Sequence, residues 1–165
     1  MQANNEISGE RPNAVDADVL ERIKAAVGPK GYTLDPDEIA PLCQSWRDNW
    51  HGWVPMVVKP ANVDEVAAVI AICAASATPI VPQGGNTGLT GGSQPHATGT
   101  EIILSTSRMN KVREIDVLNN TMTVEAGCIL ADLQIAASDA DRLFPLSLAA
   151  EGSCQIGGNL STNAG

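Results

Sequence analysis

Val81-Pro82-Gln83-Gly84-Gly85-Asn86-Thr87-Gly88-Leu89-Thr90-Gly91-Gly92-Ser93 places five glycines within nine positions, directly after a short apolar run. Glycine admits backbone angles that turn successive N–H groups into one concavity, and it lets a ligand come close to the main chain. A loop of this kind can hold a diphosphate without Lys or Arg, with Thr87 and Ser93 adding hydroxyl donors. It is not a Walker loop, because GxxxxGK[ST] is absent. It is not a dinucleotide fingerprint of the GxGxxG type either, because no such triplet opens a helix with an acidic residue about 20 positions on. A flexible linker would be richer in Ser and charge and would not be flanked by strands.

Upstream of the loop the pattern is β-α-β. Met56–Lys59 reads as a strand, residues 63–76 as a helix and residues 79–82 as the next strand. Asn62 caps the helix, with Glu65 three positions on. Val63, Val66, Ala67, Ile70 and Ala74 are the expected buried stripe. Two strands joined by one helix should run parallel. Earlier still, residues 1–14 are polar and read as loose, and residues 16–27 fit a helix with Val19, Leu20, Ile23 and Val27 on one face, stopped at Gly28-Pro29. Asp35-Pro36-Asp37-Glu38 is a second helix start, with Asp35 as cap and Glu38 completing a capping box. Residues 44–54, which hold Trp46, Trp50 and Trp53, read as an ordered loop.

Downstream the pattern changes. Residues 101–104, 112–117 and 121–125 read as strands, the last two joined at Asn119-Asn120 as an antiparallel pair, and together they read as the start of an antiparallel sheet. A helix is expected over 129–140, followed by an irregular stretch over 144–165. The fold class is α+β: a small parallel α/β subdomain, then an antiparallel-sheet subdomain with helices.

Bulk composition agrees with a globular chain. Of 165 residues, 44% are hydrophobic and 18% charged, so a folded core is expected rather than disorder. With only three Trp, one Tyr and one Phe, that core is aliphatic. The net charge of −9 makes nucleic acid and anionic membrane surfaces poor partners. It also leaves phosphate binding to backbone N–H groups. Cys43, Cys73, Cys128 and Cys154 contain no CxxC pair and are expected as free core thiols, with no metal site. No apolar run reaches the roughly 18 residues of a membrane span, no signal peptide is apparent, and the default expectation is a cytoplasmic location. The Gly-rich end at 157–165 reads as an interrupted chain, so a fragment is expected.

A second segment, Phe144-Pro145-Leu146-Ser147-Leu148-Ala149-Ala150-Glu151-Gly152-Ser153-Cys154-Gln155-Ile156-Gly157-Gly158-Asn159-Leu160-Ser161-Thr162-Asn163-Ala164-Gly165, is again built of small residues that let a large flat ligand lie against the backbone. Read alone, it also suits a tight antiparallel turn and a short helix. Taken together, residues 82–93 and 152–165 resemble the two signature segments of the FAD-linked oxidases, the family of p-cresol methylhydroxylase and vanillyl-alcohol oxidase. Within it they are most similar to the branch of D-lactate, glycolate and D-2-hydroxyglutarate dehydrogenases. The frame formed by Trp46–Gly52, Pro55, Val58, Pro60, Glu65-Val66 and Val124–Gly127 matches as well.

The resemblance implies a p-cresol methylhydroxylase-type FAD-binding domain over 45–165, incomplete at its C-terminus, preceded by a helical extension over 1–44. It implies that Pro82, Gly84, Gly85, Asn86, Thr87, Gly88, Leu89, Gly92 and Ser93 wrap the FAD diphosphate. Pro145, Gly152, Ser153, Ile156, Gly157, Gly158, Thr162, Asn163 and Ala164 would line the flavin and ribityl region. Some relatives tether FAD through a His in the first loop; Asn86 stands there, so non-covalent FAD is implied. The implied activity is oxidation of a D-2-hydroxyacid, with hydride passing to the flavin. The substrate domain, and with it the catalytic residues and any metal ligands, would lie beyond residue 165. A homodimer is left open. The alternatives are a non-catalytic flavin-binding or assembly fragment, and an aldonolactone or phenol oxidase of the same family.

Overall fold

The computed structural model describes residues 15–164, so the loose segment expected over 1–14 lies outside the described residues. Helix α1 covers Ala17–Val27, with the Asp16 side chain accepting from the Asp18 N–H, and Gly28 ends it at φ 68°. A two-residue strand, β1 (Tyr32–Thr33), follows; so short a strand carries no sequence period. Helix α2 is only Pro36–Ile39 and passes into a 3-10 turn over Ala40–Cys43. The expected capping box is not made there. Asp35 accepts from the Asp37 N–H, its own N–H donates to Thr33 Oγ1, and Glu38 reaches Lys59 instead. The Asp35 N–H that Glu38 would accept from in a capping box is already donated to Thr33 Oγ1.

Strand β2 (Val57–Val58), helix α3 (Val63–Ala75) and strand β3 (Ile80–Gln83) form the expected β-α-β unit. Asn62 Oδ1 accepts from the Glu65 N–H at 2.9 Å, and Glu65 Oε2 reaches back to the Ala61 N–H at 2.8 Å. Strand β4 (Ile102–Ser105) departs from expectation. Rather than opening an antiparallel sheet, it inserts between β2 and β3 and runs parallel to both, in a sheet of order β1-β2-β4-β3. The reason is burial: every residue of β4 is buried, and a strand covered on both faces belongs at the centre of a parallel sheet.

The two faces of this sheet follow the strand period of two. Met56, Val58, Ile102 and Leu104 pack with Val19, Ile23 and Val27 of α1 and with Val69 and Cys73 of α3. Val57, Val81 and Ile103 face the opposite way, onto Ile39, Cys43 and Val54. Strand β1 belongs to the sheet with β2–β4, and α1 packs into the core on one face of that sheet. On α3 the buried positions are Val69 and Cys73, with Val66 and Ile72 packed beside them; Val63, Ala67, Ile70 and Ala74 of the expected stripe are exposed. This helix is apolar nearly all round, so its periodicity does not reveal the buried face.

Strands β5 (Val112–Asp116) and β6 (Thr121–Val124) are antiparallel, as expected, with Asn120 at φ 51° in their turn. Helix α4 (Leu130–Asp139) packs through Leu133 against Cys128 and Ile156, with Met122, Val124 and Phe144 around them. The stretch expected to be irregular contains a short helix, α5 (Ile156–Ser161). Two glycines make this a weak helix by propensity. Tertiary hydrogen bonds fix its entry: Ile156 N–H to Cys128 O and Gly157 N–H to Ala126 O, at 2.9 and 2.8 Å.

The Trp-containing segment is an ordered loop, as expected. Trp50 Nε1 donates to Pro95 O at 2.9 Å, and the Trp53 N–H to His96 O at 3.0 Å. All four cysteines are free and buried.

Candidate functional site

In a parallel sheet the C-terminal strand ends are where loops can open a binding crevice. β3 ends at Gln83 and runs into the glycine loop, and β4 ends beside it at Ser105-Thr106. The Thr106 N–H donates to Gln83 O at 3.1 Å, and Thr106 Oγ1 to Gln155 Oε1 at 2.6 Å. The second segment is thereby brought against the first. It is also tied to the start of α4, through Leu130 N–H to Cys154 O and Ala131 N–H to Glu151 O. Gly85 lies at the contact: a Cβ there would fall 1.9 Å from Ser153 O. The glycine at this place is required by close packing of chain on chain.

Between the two segments lies a cavity of about 620 Å³, within the size range of cofactor pockets. Of the residues expected to hold a cofactor, Pro82, Gly84, Gly85, Asn86, Thr87, Gly88, Gly92, Ser93, Gly157, Gly158, Thr162 and Ala164 line it. Leu89, Pro145, Gly152, Ser153, Ile156 and Asn163 do not. Leu89 is half exposed and Ile156 faces the α4 core. Lining residues outside the sequence expectation include Gln83, Thr90, Thr106, Ala126, Leu148, Ala149, Ala150, Cys154, Gln155, Asn159 and Ser161. Ala126 belongs to the Val124–Gly127 frame and Thr106 to the end of β4. Their lining positions could have been anticipated only by knowing that β4 runs parallel to β3.

Among the described residues no charged side chain lines the cavity. The free donors are the hydroxyls of Thr87 and Thr90 and the main chain, because the Ser93 and Thr162 hydroxyls already donate to Asn86 Oδ1 and Gly158 O. The N–H groups of Gly85, Asn86, Thr87, Gly88 and Leu89 have no protein acceptor among the described residues. Unpaired N–H groups gathered on one loop are the donor set an anion requires. A Cβ at Gly88, Gly92 or Gly158, all cavity-lining, would meet no protein atom within 4 Å. Gln83 is buried, and its Oε1 has no protein donor. A nest of free amides, bare backbone at the wall and a neutral lining fit a diphosphate bearing a flat ring system.

Among the described residues no group of three or more His, Cys, Asp or Glu could hold a metal ion, and no helix is long and apolar enough to cross a membrane. His51 and His96 lie outside the cavity: His51 pairs with Asp48 at 3.1 Å, and His96 Nδ1 with Glu101 Oε1 at 2.9 Å.

Residues 54–165 match the family model described as an FAD binding domain. The chain is similar to a probable mitochondrial D-2-hydroxyglutarate dehydrogenase of Oryza sativa subsp. indica, 36% identical over 93% of this chain and 27% of the relative. It is also similar to the mitochondrial D-2-hydroxyglutarate dehydrogenase of Danio rerio, 41% identical over 82% of this chain and 25% of the relative, and to the D-2-hydroxyglutarate dehydrogenase of Xanthomonas citri pv. viticola, 37% identical over 87% and 30%. The chain thus spans between a quarter and a third of the length of these curated relatives. In fold it resembles alkyldihydroxyacetonephosphate synthase, with TM-score 0.81 and 18% identity over 96% of this chain and 31% of that one. It also resembles p-cresol methylhydroxylase, with TM-score 0.68 and 21% identity over 86% and 28%.

Proposed function

The chain belongs to the family of FAD binding domains, and on that premise we propose that it is the cofactor-holding part of an FAD-dependent dehydrogenase that oxidises a D-2-hydroxyacid, with FAD held non-covalently. The observation that carries this reading is the loop Gly85–Leu89, whose unpaired N–H groups edge a cavity with no charged lining. When bound, the flavin supplies the two-electron acceptor for the substrate. This chain's residues bind and orient it. The loop amides and the hydroxyl of Thr87 receive the diphosphate, and the small residues of Ala149-Ala150 and Gly157-Gly158 leave room for the ring system. The D-2-hydroxyglutarate dehydrogenases among the relatives support the hydroxyacid as substrate class.

Non-covalent binding rests on the lining. It holds no His or Tyr, and its one thiol, Cys154, is 3% exposed and accepts from Asn159 Nδ2 at 3.5 Å. The test is to reconstitute the complete protein with FAD, record the flavin absorbance, assay turnover of D-2-hydroxyglutarate and D-lactate with an artificial acceptor, and then precipitate with acid. Flavin in the supernatant and turnover of a D-2-hydroxyacid are the expected results. Flavin retained in the pellet would overturn the non-covalent reading, and a yellow protein inert towards every D-2-hydroxyacid would overturn the substrate class.

A further inference from the structure

The glycine loop depends on a residue whose side chain is directed at the protein rather than at the cavity. Asn86 sits at φ 55°, in the left-handed region. Its Nδ2 donates to Gln44 O at 3.1 Å, with a longer contact to Pro41 O at 3.5 Å. Its Oδ1 accepts from Ser93 Oγ at 3.1 Å and from Gln94 Nε2. Both donors and both lone pairs of the amide are therefore engaged. Beside it, Gln83 Nε2 donates to Leu42 O and to Ser93 O, each at 2.8 Å. The entrance of the loop, its exit at Ser93-Gln94 and the 3-10 turn over Ala40–Cys43 meet in one knot, with Asn86 at its centre.

We propose that Asn86 is the positioning residue of this loop: its side chain ties the loop to the Pro41–Gln44 backbone and thereby fixes the curvature that presents the amides of Gly85–Leu89 to a dinucleotide diphosphate. The second half of this statement rests on the FAD reading above; the first does not. Preorganisation is the physical point. A loop with five glycines has many conformations to lose on binding, and a loop already held loses few. The segment before residue 54, outside the family match, is on this account part of the cofactor site's support.

Asn86→Gly is the informative substitution. Glycine adopts a positive φ without steric cost, so the variant keeps the backbone shape accessible and deletes only the side-chain bonds. Asn86→Asp keeps both acceptors but turns a carboxylate oxygen towards the carbonyls of Gln44 and Pro41. Backbone ¹⁵N relaxation on the 165-residue chain without FAD should give order parameters of about 0.85 over residues 84–93 in the parent and below about 0.6 in Asn86→Gly. FAD titration of the complete protein should give at least about tenfold weaker binding in both variants, with thermal midpoints close to the parent's. If Asn86→Gly leaves the order parameters unchanged, or loosens the loop while FAD affinity stays within about twofold, the proposal is overturned. If the complete protein takes up no FAD at all, the cofactor reading fails, and the order parameters still decide whether Asn86 holds the loop. Should Asn86→Gly not fold, Asn86→Asp supplies the same comparison.

Discussion

Gly85 and Ser153 pack so closely that the two Gly-rich segments cannot both keep their paths if Gly85 acquires a side chain. A Cβ at Gly85 would lie 1.9 Å from Ser153 O and 3.1 Å from Cys154 Cα, backbone atoms that cannot swing aside. Gly88, three positions on, has open space where its Cβ would go. The two glycines of one loop therefore serve different ends. Gly85→Ala should destabilise the fold by about 1–3 kcal/mol, as overpacking does, whereas Gly88→Ala should stay within about 0.5 kcal/mol of the parent. Affinity for FAD should fall in both, in Gly88→Ala because the new methyl group occupies the ligand's side of the backbone. Urea unfolding beside FAD titration reads both effects, and equal unfolding midpoints for the two variants would sink the distinction.

Much of this site was legible because its signals are local. The run from Val81 to Ser93 announces a strand followed by an amide nest, and the nest is where the cavity opens. The cap at Asn62 is likewise local and is made as the sequence suggests. What was not legible is decided by neighbours distant in the chain. Ile102-Ile103-Leu104 is a continuous apolar run, which suits the centre of a parallel sheet. Nothing in it states that it passes between β2 and β3, and its short distance from the hairpin invited the antiparallel reading. Helix α5 opposes its own propensity and is fixed by Cys128 and Ala126. The tether from Asn86 to Gln44 spans 42 positions, and no spacing rule signals it.

Helix α3 turns a misread face into a measurement. Val69 is fully buried against α1 and β4, whereas Ile70 is 48% exposed. Val69→Ala should cost about 2 kcal/mol through the lost methyl groups and the residual cavity. Ile70→Ser should cost less than about 1 kcal/mol, mainly through helix propensity. Thermal or urea unfolding of the two variants ranks them, and the reverse ranking would mean that α3 is rotated about its axis relative to the sheet.

The four thiols give a second check on packing. Cys43, Cys73, Cys128 and Cys154 are free and buried, and burial pushes the thiols of Cys43, Cys73 and Cys128 above the ordinary range. The thiolate is the reactive form. Titration with a chromogenic disulfide at pH 8 should therefore find almost no rapidly reacting thiol in the native chain and all four after denaturation without reductant. Recovery of only two under denaturing conditions would mean a disulfide and would contradict the buried, separate positions of these residues.

The acid limb of the stability profile should report on Glu125. This carboxylate is buried at the end of β6, where Oε2 accepts from the Lys111 N–H at 3.0 Å and Oε1 from Arg113 Nη2 at 3.0 Å. The Lys111 backbone N–H first, and the Arg113 guanidinium second, hold its pKa below the ordinary glutamate value. In the unfolded chain those partners are gone and the group titrates near its ordinary value, about 4.3. The sign follows from linkage: the unfolded state binds the proton more readily, so stability rises with pH across this window. Glu125 contributes in full above the unfolded pKa, and the contribution is lost as pH falls through the lower folded value. Glu125→Gln keeps the shape but loses the charge, and places an amide N–H₂ where one of the donors must point. The variant should be less stable than the parent at pH 7, and the difference should shrink steadily below about pH 4 as the parent's carboxylate is protonated. Asp116, also held low by the Asn119 N–H and side chain, is common to both proteins and drops out of the difference. Urea unfolding of parent and variant at pH 7, 5, 4 and 3 measures it; a gap that stays constant or widens into acid would show that Glu125 acts through shape alone.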